Sequence, residues 1–376
     1  MEKNKKRGKF SGQFGFIMAA AGSAVGLGNI WRFPYLAAKD GGGIFLLCYL
    51  ILTVTFGFTL LTTEISIGRN TAQSPLTAYK KIHPKWGIIG IIACCVPTII
   101  LPYYCSIGGW VFKYLSLYVT GQCDKAVESS YFTDYITSTT EPFIWMLLYF
   151  GITAFVVICG VEKGIEKYSK ILMPLLVLMI IGIAIFAITL DYTDAEGVTR
   201  TGLEGLKIYF IPDFTGMTFK KLFVVIMDAM GQLFFSISVA MGIMVTYGSY
   251  AKKDTNLMTS INQIEIFDTL VAVLAGMVII PTVFTFMGRE GMEANGPSLM
   301  FVSLPKVFAE MGGVGRFVGC LFFAMVLFAA LTSAVSIMEA VVASLMDKFH
   351  ISRLKAAALE TGVALVGGIV VCLGYN

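Results

Sequence analysis

Asp268, Glu64, Asn29, Ser236, Ser238, Thr332 and Ser333 lie in apolar stretches of this chain, yet each carries an oxygen able to bind something. Carboxylate, amide and hydroxyl oxygens, joined by backbone carbonyls such as that of Ala329, suit a small hard cation of the alkali type; a transition metal would call for His or Cys ligands. The two histidines, His83 and His350, fall in polar loops far from each other and from these residues. Of the eight cysteines, Cys48, Cys94, Cys95, Cys105, Cys159, Cys320 and Cys372 sit in apolar runs, where a thiol acts as a small hydrophobe. Cys123 has no evident partner, and neither a disulfide framework nor a zinc spacing occurs. Ser236 and Ser238 have no neighbouring histidine, and no cofactor fingerprint is present, so neither an enzyme nor an organic cofactor is expected.

The elements that must position these oxygens are membrane helices. Apolar residues make up 56% of the 376 and charged residues 14%, so the expected solvent is lipid. Apolar runs near 14–38, 43–68, 87–120, 143–160, 168–190, 220–247, 257–288, 314–346 and 355–374 are each long enough to cross about 30 Å of hydrocarbon. The expectation is an all-α integral membrane protein with a single polytopic domain over 1–376. Lys3, Lys5, Lys6 and Arg7 precede the first run without a cleavage site, which argues against a signal peptide. Alternate loops repeat the basic bias at Arg69, Lys80, Lys81 and Lys85, at Lys163, Lys167 and Lys170, at Lys252 and Lys253, and at Lys348, Arg353 and Lys355. That bias places the N-terminus and these loops on the cytoplasmic side of the cell membrane. The net charge of +4 follows from this topology and gives no reason to expect a nucleic-acid partner.

Two of the runs are poor helices at their centres. The first reads Ala21-Gly22-Ser23-Ala24-Val25-Gly26-Leu27-Gly28-Asn29, and each interior glycine weakens a helix by roughly 1 kcal/mol. Backbone freed inside a bilayer is tolerated where it lines a cavity or binds something, and a broken helix offers carbonyls to a cation and N–H groups to a carboxylate. The sixth run places Ser236, Ser238 and Gly242 at its centre. Breaks in spans one and six suggest an inverted repeat of five spans, the first copy over about 12–190 and the second, incomplete, over about 219–376. Taken singly, these residues have blander readings. Glycines also permit close helix packing, Ser and Thr also bond their own helix carbonyls, Glu339 also fits a solvated or paired helix residue, and Glu64 fits an anchor for broken-helix N–H groups better than a cation ligand.

The run Gly22-Ser-Ala-Val-Gly-Leu-Gly-Asn-Ile-Trp-Arg-Phe-Pro34, followed by Gly41-Gly-Gly43, resembles the first-span signature of the neurotransmitter:sodium symporters, most of all their bacterial amino-acid branch. Tyr103-Tyr104, Gly160-Val-Glu-Lys, Ile211-Pro-Asp-Phe214, Gly231-Gln-Leu-Phe-Phe235, Gly296-Pro-Ser-Leu and Leu331-Thr-Ser333 extend the likeness. The resemblance implies an inverted-repeat sodium symporter fold and sodium-coupled uptake of an α-amino acid by alternating access. It implies a first sodium site made by the Ala24 carbonyl, Asn29, Ser236 and Asp268 with the substrate carboxylate, and a second made by the carbonyls of Gly22, Val25 and Ala329 with Thr332 and Ser333. Gly26 would leave room for the substrate carboxylate, held by the Leu27 and Gly28 N–H groups and the Tyr104 hydroxyl. Ile100, Phe235, Ser238, Met241 and Ile337 would line the side-chain pocket, with Ser333 beside it, favouring hydrophobic or aromatic amino acids.

Further expectations come from the same likeness. Asp268, with Ala272 one turn on, would supply the negative charge that chloride supplies elsewhere, so transport would be chloride-independent although Tyr49 and Gln232 match chloride-site neighbours. Arg7 and Asp347, near Ser249 and Tyr250, would close the cytoplasmic path, with Phe10 where the family usually has Trp. Arg32 and Phe235 would belong to the outer gate, and the acidic partner of Arg32 would lie on a tenth span. A complete second repeat needs that span, so the expectation is of a truncated gene, a fragment or one part of a longer product. The alternatives are a proton-coupled or exchanging transporter of the same architecture, or a non-transporting membrane protein.

Overall fold

The computed structural model describes residues 8–194, 197–291 and 296–375, apart from the side chains of residues 289 and 290. Seven helical stretches are long and apolar enough to cross a membrane: Gly43–Thr71, Pro84–Thr120, Glu141–Ile158, Val161–Ile188, Leu257–Gly288, Gly313–Phe349 and Arg353–Leu373. An eighth crossing is a bent pair, Gln13–Ala24 and Gly28–Lys39, whose axes differ by 51°. The remaining expected span, the sixth, is two helices, Phe219–Ser236 and Ile243–Tyr250, separated by residues 237–242. All nine expected runs are therefore helical, two of them interrupted where the sequence is weakest.

Boundaries shift where the backbone leaves α geometry. The fifth span begins at Val161 because a wide turn, Val161–Glu166, leads into Lys167–Ile188. A similar turn, Thr53–Gly57, sits inside the second span. Wide turns of this kind insert one residue into a helix, and apolar periodicity does not announce them. Short helices Pro75–Ile82, Tyr131–Thr137, Gly202–Phe210 and Leu304–Glu310 occupy the loops. A two-stranded antiparallel ribbon, Asp191–Thr193 with Thr199–Thr201, precedes Gly202–Phe210, which starts in a capping box formed by Thr201 and Glu204.

The broken spans lie inside the bundle. Gln13–Ala24 packs against the fifth, seventh and eighth spans, and Ile243–Tyr250 packs against the second. The latter contact is backbone against backbone: a Cβ at Gly68 would overlap the Val245 carbonyl oxygen, and one at Gly248 would overlap the Ile65 carbonyl oxygen. In lipid, where apolar surface gains little from helix association, such close approach is a main source of packing energy.

Candidate functional site

In the first span the last α-helical bond before the break runs from the Val25 N–H to the Ala21 carbonyl at 2.8 Å, after which Val25 adopts an extended conformation. Asn29 then closes the break on itself. Its Oδ1 accepts from the Gly26 N–H at 3.1 Å, and its own N–H donates to the Gly26 carbonyl at 3.1 Å. The Leu27 N–H donates to the Tyr104 hydroxyl at 3.2 Å. Helix resumes as a wide turn, Gly28–Arg32, whose Gly28 carbonyl accepts from Gln232 Nε2 at 3.0 Å.

The sixth-span break is built differently. Ser238 and Ala240 take φ of 55° and 65°, and Gly242 takes 70°. Two residues with a Cβ in the left-handed region cost of order 1 kcal/mol each, so something outside the segment must hold them. Glu64 does: its Oε1 accepts from the Ala240 N–H at 2.8 Å. Its place is the anchoring one, on the N–H of a broken helix.

The first oxygen cluster joins spans one, six and seven. Asn29 Nδ2 donates to Asp268 Oδ1 at 2.7 Å and to Ser236 Oγ at 3.0 Å, and Ser236 Oγ donates to Asp268 Oδ1 and Oδ2 at 2.9 and 3.0 Å. The Tyr49 hydroxyl lies 3.5 Å from Asp268 Oδ2. Asp268 and Asn29 are fully buried. Among the described residues no Lys, Arg or His pairs with Asp268, so this cluster holds a buried carboxyl without a basic partner. A buried carboxylate needs a compensating charge or a proton, and the donor set fits a hard cation.

The second cluster joins spans one and eight. Ser333 Oγ lies 3.4, 3.1 and 3.2 Å from the carbonyl oxygens of Gly22, Ser23 and Val25. Thr332 Oγ1 donates to the Ala329 carbonyl at 3.1 Å, and its Cβ is 3.3 Å from where a Cβ on Gly22 would stand. The five residues expected here from sequence are thus neighbours.

Between the clusters lies a small cavity. Ser23, Ala24, Gly26, Gly28 and Asn29 line it from the first break, Ile100 and Tyr104 from the third span, Phe235, Ser236, Ser238 and Met241 from the sixth, and Ser333 and Ile337 from the eighth. Leu27 is the one expected pocket residue that does not line it, although its N–H reaches Tyr104. The glycines are sterically required: a Cβ on Gly26 would stand 2.5 Å from Ser333 Oγ and 2.8 Å from the Tyr104 hydroxyl, and one on Gly28 2.6 Å from Phe235. Ser23 was not among the expected residues. A lone serine in a helical run reads as a residue bonding its own carbonyls, and only the three-dimensional arrangement reveals it.

Around the cavity, Arg32 Nη1 donates to Gln232 Oε1 at 3.0 Å and its guanidinium stands 5.9 Å from the Phe235 ring centre. At the far end of the eighth span Glu339 is paired: Arg353 donates to both its oxygens at 2.6 and 2.8 Å, and the Tyr250 hydroxyl donates to Oε1 at 2.6 Å. In the sequence Arg353 reads only as a loop charge. The expected Arg7 partner of Asp347 lies outside the described residues; Asp347 Oδ2 accepts from the Ser74 N–H and hydroxyl at 2.7 and 2.6 Å. Phe10 packs edge-on against Tyr247 at 5.6 Å, filling its place with an aromatic ring. Glu265, one turn before Asp268, and Glu360 in the ninth span are buried carboxyls that sequence reading passed over; their signal was a charge inside an apolar run.

Comparison with known proteins gives this geometry its setting. The model of the sodium:neurotransmitter symporter family matches residues 7–143 and 132–375. The uncharacterized sodium-dependent transporter YhdH of Bacillus subtilis is 35% identical over 98% of this chain and 79% of its own length. An uncharacterized sodium-dependent transporter of Haemophilus influenzae is 34% identical over 99% of this chain and 81% of its own. The crystal structure of MhsT in complex with L-phenylalanine superimposes with a TM-score of 0.86 at 36% identity, over 98% of this chain and 81% of that one.

Proposed function

The chain belongs to the sodium:neurotransmitter symporter family, a family of transporters rather than enzymes, and from that premise we propose that it moves an α-amino acid together with sodium ions into the cell by alternating access. It is a sodium-dependent, multi-pass membrane protein with the inverted-repeat symporter fold; the substrate, the number of ions and the orientation are our reading. The observation that carries it is Asp268, buried against Asn29 and Ser236, two residues that line the cavity, with no positively charged partner among the described residues. A sodium ion held there by Asp268, Asn29, Ser236 and the Ala24 carbonyl would sit where an amino-acid carboxylate, admitted by Gly26 and met by Tyr104, completes its shell. Substrate and ion would then bind only together.

A second sodium ion fits the Gly22, Val25 and Ala329 carbonyls with Thr332 and Ser333, a set without a carboxylate. Met241, Ile100, Ile337 and Phe235 make the rest of the cavity apolar, which favours a hydrophobic or aromatic side chain; the L-phenylalanine bound to MhsT is in keeping with that. Asp268 supplies the fixed negative charge that makes chloride unnecessary. The basic loops put the N-terminus in the cytoplasm, and residues 12–190 and 219–376 are read as two copies of one repeat.

The test is equilibrium binding of a radiolabelled amino-acid panel to the purified chain in detergent, in sodium against potassium and with or without chloride, with Asp268→Ala beside it. Saturable binding of a hydrophobic or aromatic amino acid that needs sodium, ignores chloride and vanishes in Asp268→Ala is expected. Binding that is equal in potassium would overturn sodium coupling, and binding that rises strongly with chloride would overturn the charge argument.

A further inference from the structure

Three carbonyls surround Ser333 Oγ, and two of them, those of Gly22 and Val25, belong to the second sodium set. If Ser333 gives its lone pairs to a cation, its proton needs an acceptor that is not itself on the cation. The Ser23 carbonyl, 3.1 Å away, is that acceptor. The same oxygen also accepts from Ser238 Oγ at 3.1 Å. A carbonyl has two lone pairs, so both donors can be served at once. Ser23 Oγ in turn donates to Ser238 Oγ at 3.3 Å, closing a small ring between the two broken spans. Ser23, Ser238 and Ser333 are all buried, so these bonds form in surroundings of low polarity.

We propose that the Ser23 backbone oxygen is a positioning group, orienting the Ser333 hydroxyl toward the second cation and tying that site to Ser238 in the amino-acid pocket. Ser238 contributes no atom to the cation set, yet it shares an acceptor with a residue that does. Its hydroxyl donor fixes the first-break carbonyl that Ser333 needs. A change at the pocket side therefore reaches the ion site through one oxygen, as outer-shell partners of ligands do in other metal sites.

The inference rests on the sodium reading above, and its test separates the two. Radioactive sodium binding to the purified full chain, without amino acid, is compared for the parent, Ser238→Gly, Ser333→Ala and the double variant. Ser238→Gly removes the donor while suiting the left-handed backbone at φ 55°. It is expected to weaken sodium binding about tenfold, and the double variant is expected to be no weaker than Ser333→Ala alone, because the Ser23 carbonyl then has no Ser333 hydroxyl to orient. Losses that simply multiply, or a Ser238→Gly chain that binds sodium like the parent, would overturn the link. Ser23→Ala keeps the backbone oxygen and is expected to lose much less than Ser238→Gly; an equal loss would assign the effect to the Ser23 hydroxyl and refute the carbonyl's role. Ser238→Asn, which tolerates positive φ and keeps a donor, is expected to retain most of the affinity, and a tenfold loss there would also count against the proposal. A parent chain that binds no sodium would defeat the function reading instead.

Discussion

The two helix breaks do similar work with opposite materials. The first is written in glycine and closed by its own Asn29, which bonds Gly26 through both side chain and backbone. The second runs through Ser238 and Ala240, residues with a Cβ forced into left-handed backbone, and is held from outside by Glu64. The first break is thus crowded against added atoms and closes on itself, with Tyr104 and Gln232 joining it from outside. The second carries side chains at Ser238 and Ala240 but depends on a neighbour.

That contrast can be broken at the first break most severely. Gly26→Ala places a methyl against Ser333 Oγ and the Tyr104 hydroxyl, and overpacking of about 1–3 kcal/mol predicts about a 5- to 150-fold loss of amino-acid binding with the fold intact; unchanged affinity by radioligand titration would show that the cavity relaxes freely. At the second break, Glu64→Ala leaves the Ala240 N–H without its acceptor and is expected to lower stability by about 2 kcal/mol, seen as a lower melting midpoint in detergent. Glu64→Gln keeps an acceptor and should lose less than half as much. The smallest effect is a gain: Ala240→Gly removes the left-handed penalty and is expected to raise stability by up to about 1 kcal/mol. If it destabilises the chain, the second break is not strained in the way its backbone angles imply.

The same contrast explains what could be read without coordinates. Glycine inside an apolar run is an unambiguous weak point, and with Asn29 beside it the first break and its carbonyls were legible. Asp268 was legible because a carboxyl in lipid is expensive. The sixth break was placed correctly by Ser236, Ser238 and Gly242, but nothing in Val239 or Ala240 announces a left-handed residue, since the group that bonds the segment, Glu64, lies on another span. The wide turns at Thr53–Gly57 and Val161–Glu166 were invisible for a similar reason: one extra residue per turn barely disturbs an apolar pattern that faces lipid and protein on all sides. Ser23 was missed because its importance lies in a backbone oxygen, which every residue has.

The interlocked glycines Gly68 and Gly248 carry a mechanical consequence. With main chains in direct register there, and a Cβ on either excluded, the half-helix Ile243–Tyr250 has no slack to slide along the second span. Shear between them is blocked, so any motion that exposes the cavity must carry the two as one lever, with the flexing confined to residues 237–242, a joint that Glu64 ties to the second span at the Ala240 N–H and Ser238 ties to the first span at the Ser23 carbonyl.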